Sequence, residues 1–110
     1  MIIERAQEIA AKIAAEGVRA TWDSREAANP PVVLVAPPTI TPDNRCLASF
    51  VWPIYALAPQ PADADVLTIL DGLVTAIRAA GFDGPMRPVT YPTAAGVLAA
   101  YELDYSETTS

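Results

Sequence analysis

Histidine is absent from the chain, and cysteine and lysine occur once each, as Cys46 and Lys12. Without histidine there is no imidazole general base at neutral pH, and the commonest metal ligand is missing too. A Ser-His-Asp or Cys-His site cannot be built within one chain. Cys46 has no partner for an internal disulfide, which suits a reducing compartment or a place where redox state is immaterial. Its neighbour Arg45 would lower a thiol pKa, but a loop cysteine beside one arginine and no base reads as inert. Basic residues are also scarce, with 7 Lys and Arg against 13 Asp and Glu and a net charge of −6. Nucleic-acid-binding surfaces are normally basic, so that class is disfavoured. No apolar run is long enough to cross a bilayer, and Glu4, Arg5, Gln7 and Glu8 interrupt the region where a signal peptide would be apolar. Gly81–Gly84 has neither the frame nor the lysine of a phosphate loop. Asp63, Asp65 and Asp71 lack the spacing of a calcium loop, and a helix start accounts for the first two. Enzyme chemistry has little to work with, and neither a metal nor a cofactor is expected.

What the chain does have is apolar residues, 52% of 110, enough for one domain with a real core. Its acids are unevenly placed: residues 51–110 hold Asp63, Asp65, Asp71, Asp83, Glu102, Asp104 and Glu107 against only Arg78 and Arg87. Ala64–Gly81 is the organising stretch. Val66, Leu67, Leu70, Leu73, Val74 and Ile77 recur at helical steps, with Asp65, Thr68, Asp71, Thr75 and Arg78 opposite them. Asp63 or Asp65 is the expected N-cap, and Gly81 the residue that ends the helix.

Ile2–Glu16 reads as a first helix with a stripe of Ile2, Ala6, Ile9, Ala10 and Ile13, closed by Gly17. Short strands follow at Val18–Trp22 and at Val32–Ala36, the latter apolar on both faces and therefore central. Asp23–Pro31 and Thr39–Cys46 read as polar loops. Leu47–Ala58 is the longest strand candidate, with Phe50, Trp52 and Ile54 on one face and Val51 and Tyr55 on the other. Pro53 inside it predicts an edge position or a bulge. Met86–Tyr91 and Val97–Ser106 complete the strands. In the last, Tyr101, Leu103 and Tyr105 oppose Glu102 and Asp104, and 107–110 is expected to fray. The order α-β-β-β-α-β-β predicts an α+β fold, a mostly antiparallel sheet of four to five strands packed with two helices in a single domain.

The N-terminal helix, the Pro30–Pro38 phrase PPVVLVAPP, the strand ending in Tyr55–Pro59 (YALAP), the Asp65–Gly81 helix and the closing Leu98–Tyr105 strand (LAAYELDY) together resemble a known family. It is the tail terminator, or tail completion, family of bacteriophages with long non-contractile tails. The resemblance implies a hexameric ring that caps the finished tail tube, ends its polymerisation and joins the tail to the head connector. Its implied partners are further copies of itself, the major tail tube protein and the connector or stopper protein. DNA would pass through without specific binding. The implied place is the head-proximal end of the virion tail, reached by assembly in the host cytoplasm, with no membrane involved. No catalytic residue carries over. Under this reading Asp71, Glu102 and Asp104 are candidate channel-facing acids, keeping the path slippery for phosphates, or else they face bulk water outside. Thr39, Asp43, Asn44 and Arg45 form the candidate interface loop. The alternatives are another neck component, such as a head-closure protein, and a small monomeric domain that holds a ligand with Trp22, Trp52, Tyr55 and Tyr101.

Overall fold

Helix α1 (Ile2–Ala14) buries Ala6, Ile9, Ala10 and Ile13 on one face, at the three- and four-residue steps expected. Ile2, at 45% exposed, lies outside that stripe. Gly17, at φ 94°, follows the helix and donates its N–H to the Ala14 carbonyl at 3.0 Å. These details come from a computed structural model, which describes residues 2–25, 31–44, 47–59, 64–93 and 96–109.

Six strands form one mixed, mostly antiparallel sheet: β1 (Ala20–Thr21), β2 (Val32–Val35), β3 (Thr39–Asn44), β4 (Leu47–Leu57), β5 (Met86–Thr93) and β6 (Gly96–Thr109). The second helix, α2 (Ala64–Ala79), sits between β4 and β5 in the chain. The fold is α+β as the sequence predicts, with one strand more. That strand is β3, where a polar loop was expected: Thr39–Asn44 pairs antiparallel with β4, Thr39 opposite Val51 and Thr41 opposite Ser49. Its polar and proline-rich composition masked it, because an edge strand open to solvent needs no apolar alternation.

The strand order is β1-β2-β4-β6-β5, with β3 beside β2 along the same edge of β4. Only β1 and β2 run parallel. β4 is therefore the interior spine, so Pro53 is not on an edge. The N–H and C=O of one strand residue point to the same side. The Pro53 carbonyl accepts from the Ala36 N–H at 2.9 Å, so its missing N–H faces the β2–β3 junction. There Pro37 and Pro38 interrupt the neighbouring strand and the register shifts by one residue. Neither the expected edge position nor a bulge occurs at Pro53; β4 runs through it in continuous register with β6, and the break lies in the neighbouring chain between β2 and β3.

Both helices lie on one face of the sheet. Beneath them Val33, Val35, Trp52, Ile54, Ala56 and Leu103 join the buried residues of α1 and α2 in one core. α2 contributes Val66, Leu70, Leu73 and Ile77, whose burial is favourable by about 6–12 kcal/mol before ordering entropy. Leu67, 70% exposed, points away from that core. Asp65 stands within the first turn of α2, which begins at Ala64, while Asp63 lies outside the described residues. The helix ends in a Schellman motif: Gly81, at φ 97°, donates to the Arg78 carbonyl and Phe82 to that of Ile77, and Phe82 itself is buried. The opposite face carries a smaller cluster of Val32, Leu34, Leu57, Leu98 and Ala100, with Tyr55, Val89 and Tyr91 against it. Among the described residues no helix is long and apolar enough to cross a membrane.

Candidate functional site

The candidate channel acids do not share a surface. Asp71 is exposed on α2, in the helical layer, whereas Glu102 and Asp104 project from the other face of the sheet. Nor is Glu102 a free surface charge. It is 9% exposed and pairs with Arg87 on β5, whose guanidinium also reaches Asp104 at 3.5 Å. Register produces this arrangement, since Arg87 stands opposite Glu102 and Glu102 opposite Tyr55. The Tyr55 phenol is pushed up to about 12, by burial first and then by its hydrogen bond to Glu102 and that carboxylate's charge. Tyr91 meets Tyr55 edge-on at 5.2 Å. The cluster is a satisfied polar patch on a half-covered sheet face. Only Asp71 and Asp104 keep appreciable exposure, on opposite faces.

The candidate interface loop is strand β3. Thr39 is exposed and bonded into the ladder; Asp43 and Asn44 close the strand; Arg45 lies outside the described residues. β3, the first half of β4 and the last residues of β6 make a three-stranded projection, and the molecule measures 49 × 28 × 22 Å. The C-terminal end expected to fray is a strand as far as Thr109. Glu107 holds it down. Its carboxylate accepts from Arg5 Nη2 at 2.8 Å and from Trp52 Nε1 at 3.1 Å, tying α1, β4 and β6 together. The Arg5 hydrogen bonds hold the Glu107 carboxyl below the usual carboxylate range, and Trp52 adds to the effect.

Which strand edges remain open follows from the ladders. Even-numbered β4 residues bond β6, as Ala58 N–H to Ala99 O shows for the continuing chain, and odd-numbered ones face β2 and β3. Thr39 and Thr41 therefore bond inward, leaving Ile40 and Pro42 on the outer edge of β3. By the same alternation Arg87, Val89 and Tyr91 bond β6, while Pro88, Thr90 and Pro92 face outward on β5. Prolines at outward positions remove donors without harming the inner ladder, so β5 is a guarded edge. Beyond Met86, β6 has no β5 neighbour. Gly84 covers only the Asp104 carbonyl, where a Cβ would come within 2.6 Å. Ser106 and Thr108 are left exposed, with outward backbone groups and no proline.

Apolar surface lies beside the projection. Ile2, Ile3, Trp22, Val35, Pro37 and Trp52 line an open cleft of about 250 Å³. Trp52 stacks on Phe50 at 6.2 Å, and Phe50 stands opposite Ile40 in the register. Ile3 is 51% exposed, Ile40 43% and Trp22 40%. Sequence reading placed Trp22 and Trp52 together as possible ligand-stacking residues. The structure brings both to this cleft but sends Tyr55 to the opposite face. Ile40, Ser106 and Thr108 were not singled out. The prolines four apart in Pro88–Pro92 were the available sign that strand edges here are managed.

Among the described residues no group of three or more acidic or thiol side chains is placed to hold a metal. No protein-family model matches the chain, and no curated protein sequence resembles it.

Proposed function

We propose that this chain is a structural subunit of a phage tail, assembling as a ring that caps the tail tube and meets the head connector. The observation that carries the reading is the pair of open edges where β3, the first half of β4 and the end of β6 run side by side, with exposed Ile40 on one edge and Ser106 and Thr108 on the other. Sheet edges left unguarded at opposite sides of one small domain suit repeated contact between copies. Asp71 and Asp104 lie on opposite faces, so a ring that turns one sheet face to its lumen can line it with one of them, not both. The mass of the purified protein in solution and electron micrographs of it test the proposal. A ring of about six copies that shortens or halts tube growth when added to polymerising tube protein is the expected result. A monomer at all accessible concentrations overturns it.

The cleft around Ile2, Ile3 and Trp22 favours a second reading, a monomeric domain that binds an apolar segment of another protein. The same mass measurement separates the two.

A further inference from the structure

We infer that copies of this chain join strand to strand, the outer edge of β6 at Ser106–Thr108 of one copy pairing with the outer edge of β3 at Ile40 of the next. The inference rests on the ring reading and names the contact that would build it.

The backbone groups decide which edges can take part. β5 is closed by Pro88 and Pro92, and the outward groups of β2 are occupied by β1, through Val33 N–H to Arg19 O at 2.9 Å. β1 is the other end strand of the order, but at two residues it offers too short an outer edge for a ladder. Two longer stretches remain among the described residues. On β6, Ser106 and Thr108 each present an N–H and a C=O to solvent. On β3, Ile40 presents both, and Pro42 a C=O alone. β3 and β6 are both antiparallel to β4, so they run in the same direction on opposite sides of one projection. A copy laid beside another in the same orientation therefore sets β6 against β3, with the Ile40 N–H and C=O received between Ser106 and Thr108. Pro42 has no N–H to give Thr108, which limits the pairing to a short ladder. Side chains agree with this. Ile40, 43% exposed on an edge strand, and half-buried Phe50 opposite it would be covered by the neighbour's strand. Such a head-to-tail contact is heterologous, and repeating it closes a ring if the rotation allows.

Proline substitution tests the pairing without altering the inner ladder, because the N–H removed points outward in each case. Ser106→Pro and Ile40→Pro are expected to melt within a few degrees of the parent protein yet run as monomers. Thr108→Pro, nearer the chain end, serves as a second β6 variant should Ser106→Pro fail to fold. Mixing the Ser106→Pro and Ile40→Pro proteins in equal amounts leaves one intact β6 edge and one intact β3 edge, so the mixture should yield a dimer and nothing larger. Assembly of Ile40→Pro alone would mean that β6 pairs with something other than β3, and the inference fails. Rings that persist in the folded β6 variants overturn the pairing but leave the ring itself standing. A parent protein that is monomeric throughout removes the ring reading, and this contact with it.

Discussion

Glu107 shows how much one side chain near the chain end can hold. It neutralises Arg5 and takes the N–H of Trp52, a side chain that is fully buried. Glu107→Ala leaves that indole donor without its partner, and a loss of about 2–3 kcal/mol is expected in denaturant unfolding. Because the folded carboxyl titrates below its unfolded value, its contribution is present above the ordinary carboxylate pKa and fades as pH falls through the depressed one. The stability gap between parent and Glu107→Gln should therefore shrink in acid; a gap constant with pH would mean the charge is idle. Tyr55 behaves in the opposite sense. Its pKa of about 12 lies above the unfolded value, so the stabilisation is complete below about pH 10 and is lost as pH rises towards 12. Tyr55 should ionise late in a phenolate absorbance titration, and Tyr55→Phe should abolish that late step. Neither role was legible in the sequence. Alternation put Glu102 opposite Leu103, but the partners Arg87, Tyr55 and Arg5 arrive through register between strands and across a helix, which local pattern does not carry.

Elements were more readable than contacts. α2 was legible in type, end and most of its buried face, because periodicity and Gly81 act within a few residues. Leu73→Asp would set an unpaired charge beneath that helix and should cost several kcal/mol, seen as a large drop in melting temperature. β3 and the end of β6 were not legible. Both are polar, both are held by a neighbour distant in sequence, and a solvated strand leaves no apolar trace. Removing residues 107–110 distinguishes strand from frayed end. A strand predicts a loss of at least about 2 kcal/mol, from Glu107 and its ladder bonds. An unchanged melt would return that segment to solvent. Pro53 misled for a related reason: its effect depends on which side of β4 the absent donor faces, and that side is fixed by Ala36.

On the scale of the whole molecule, an assembly bound to the folded state alone stabilises it by mass action. A ring should therefore raise the melting temperature as protein concentration increases, and a curve independent of concentration would indicate a monomer. The strand order has a separate consequence, for synthesis. β6 is made after β4 and β5, yet it lies between them and supplies Leu103 to the core. Before β6 is made, β4 has an unpaired side and β5 has nothing to lie against. Early segments can collapse locally, with β3 against β4 and α2 in its own turns, but the sheet stays divided until β6 emerges. Until β6 emerges, the nascent chain holds an open, apolar half-sheet, and pairing of β6 with β4 and β5 is the step that closes it.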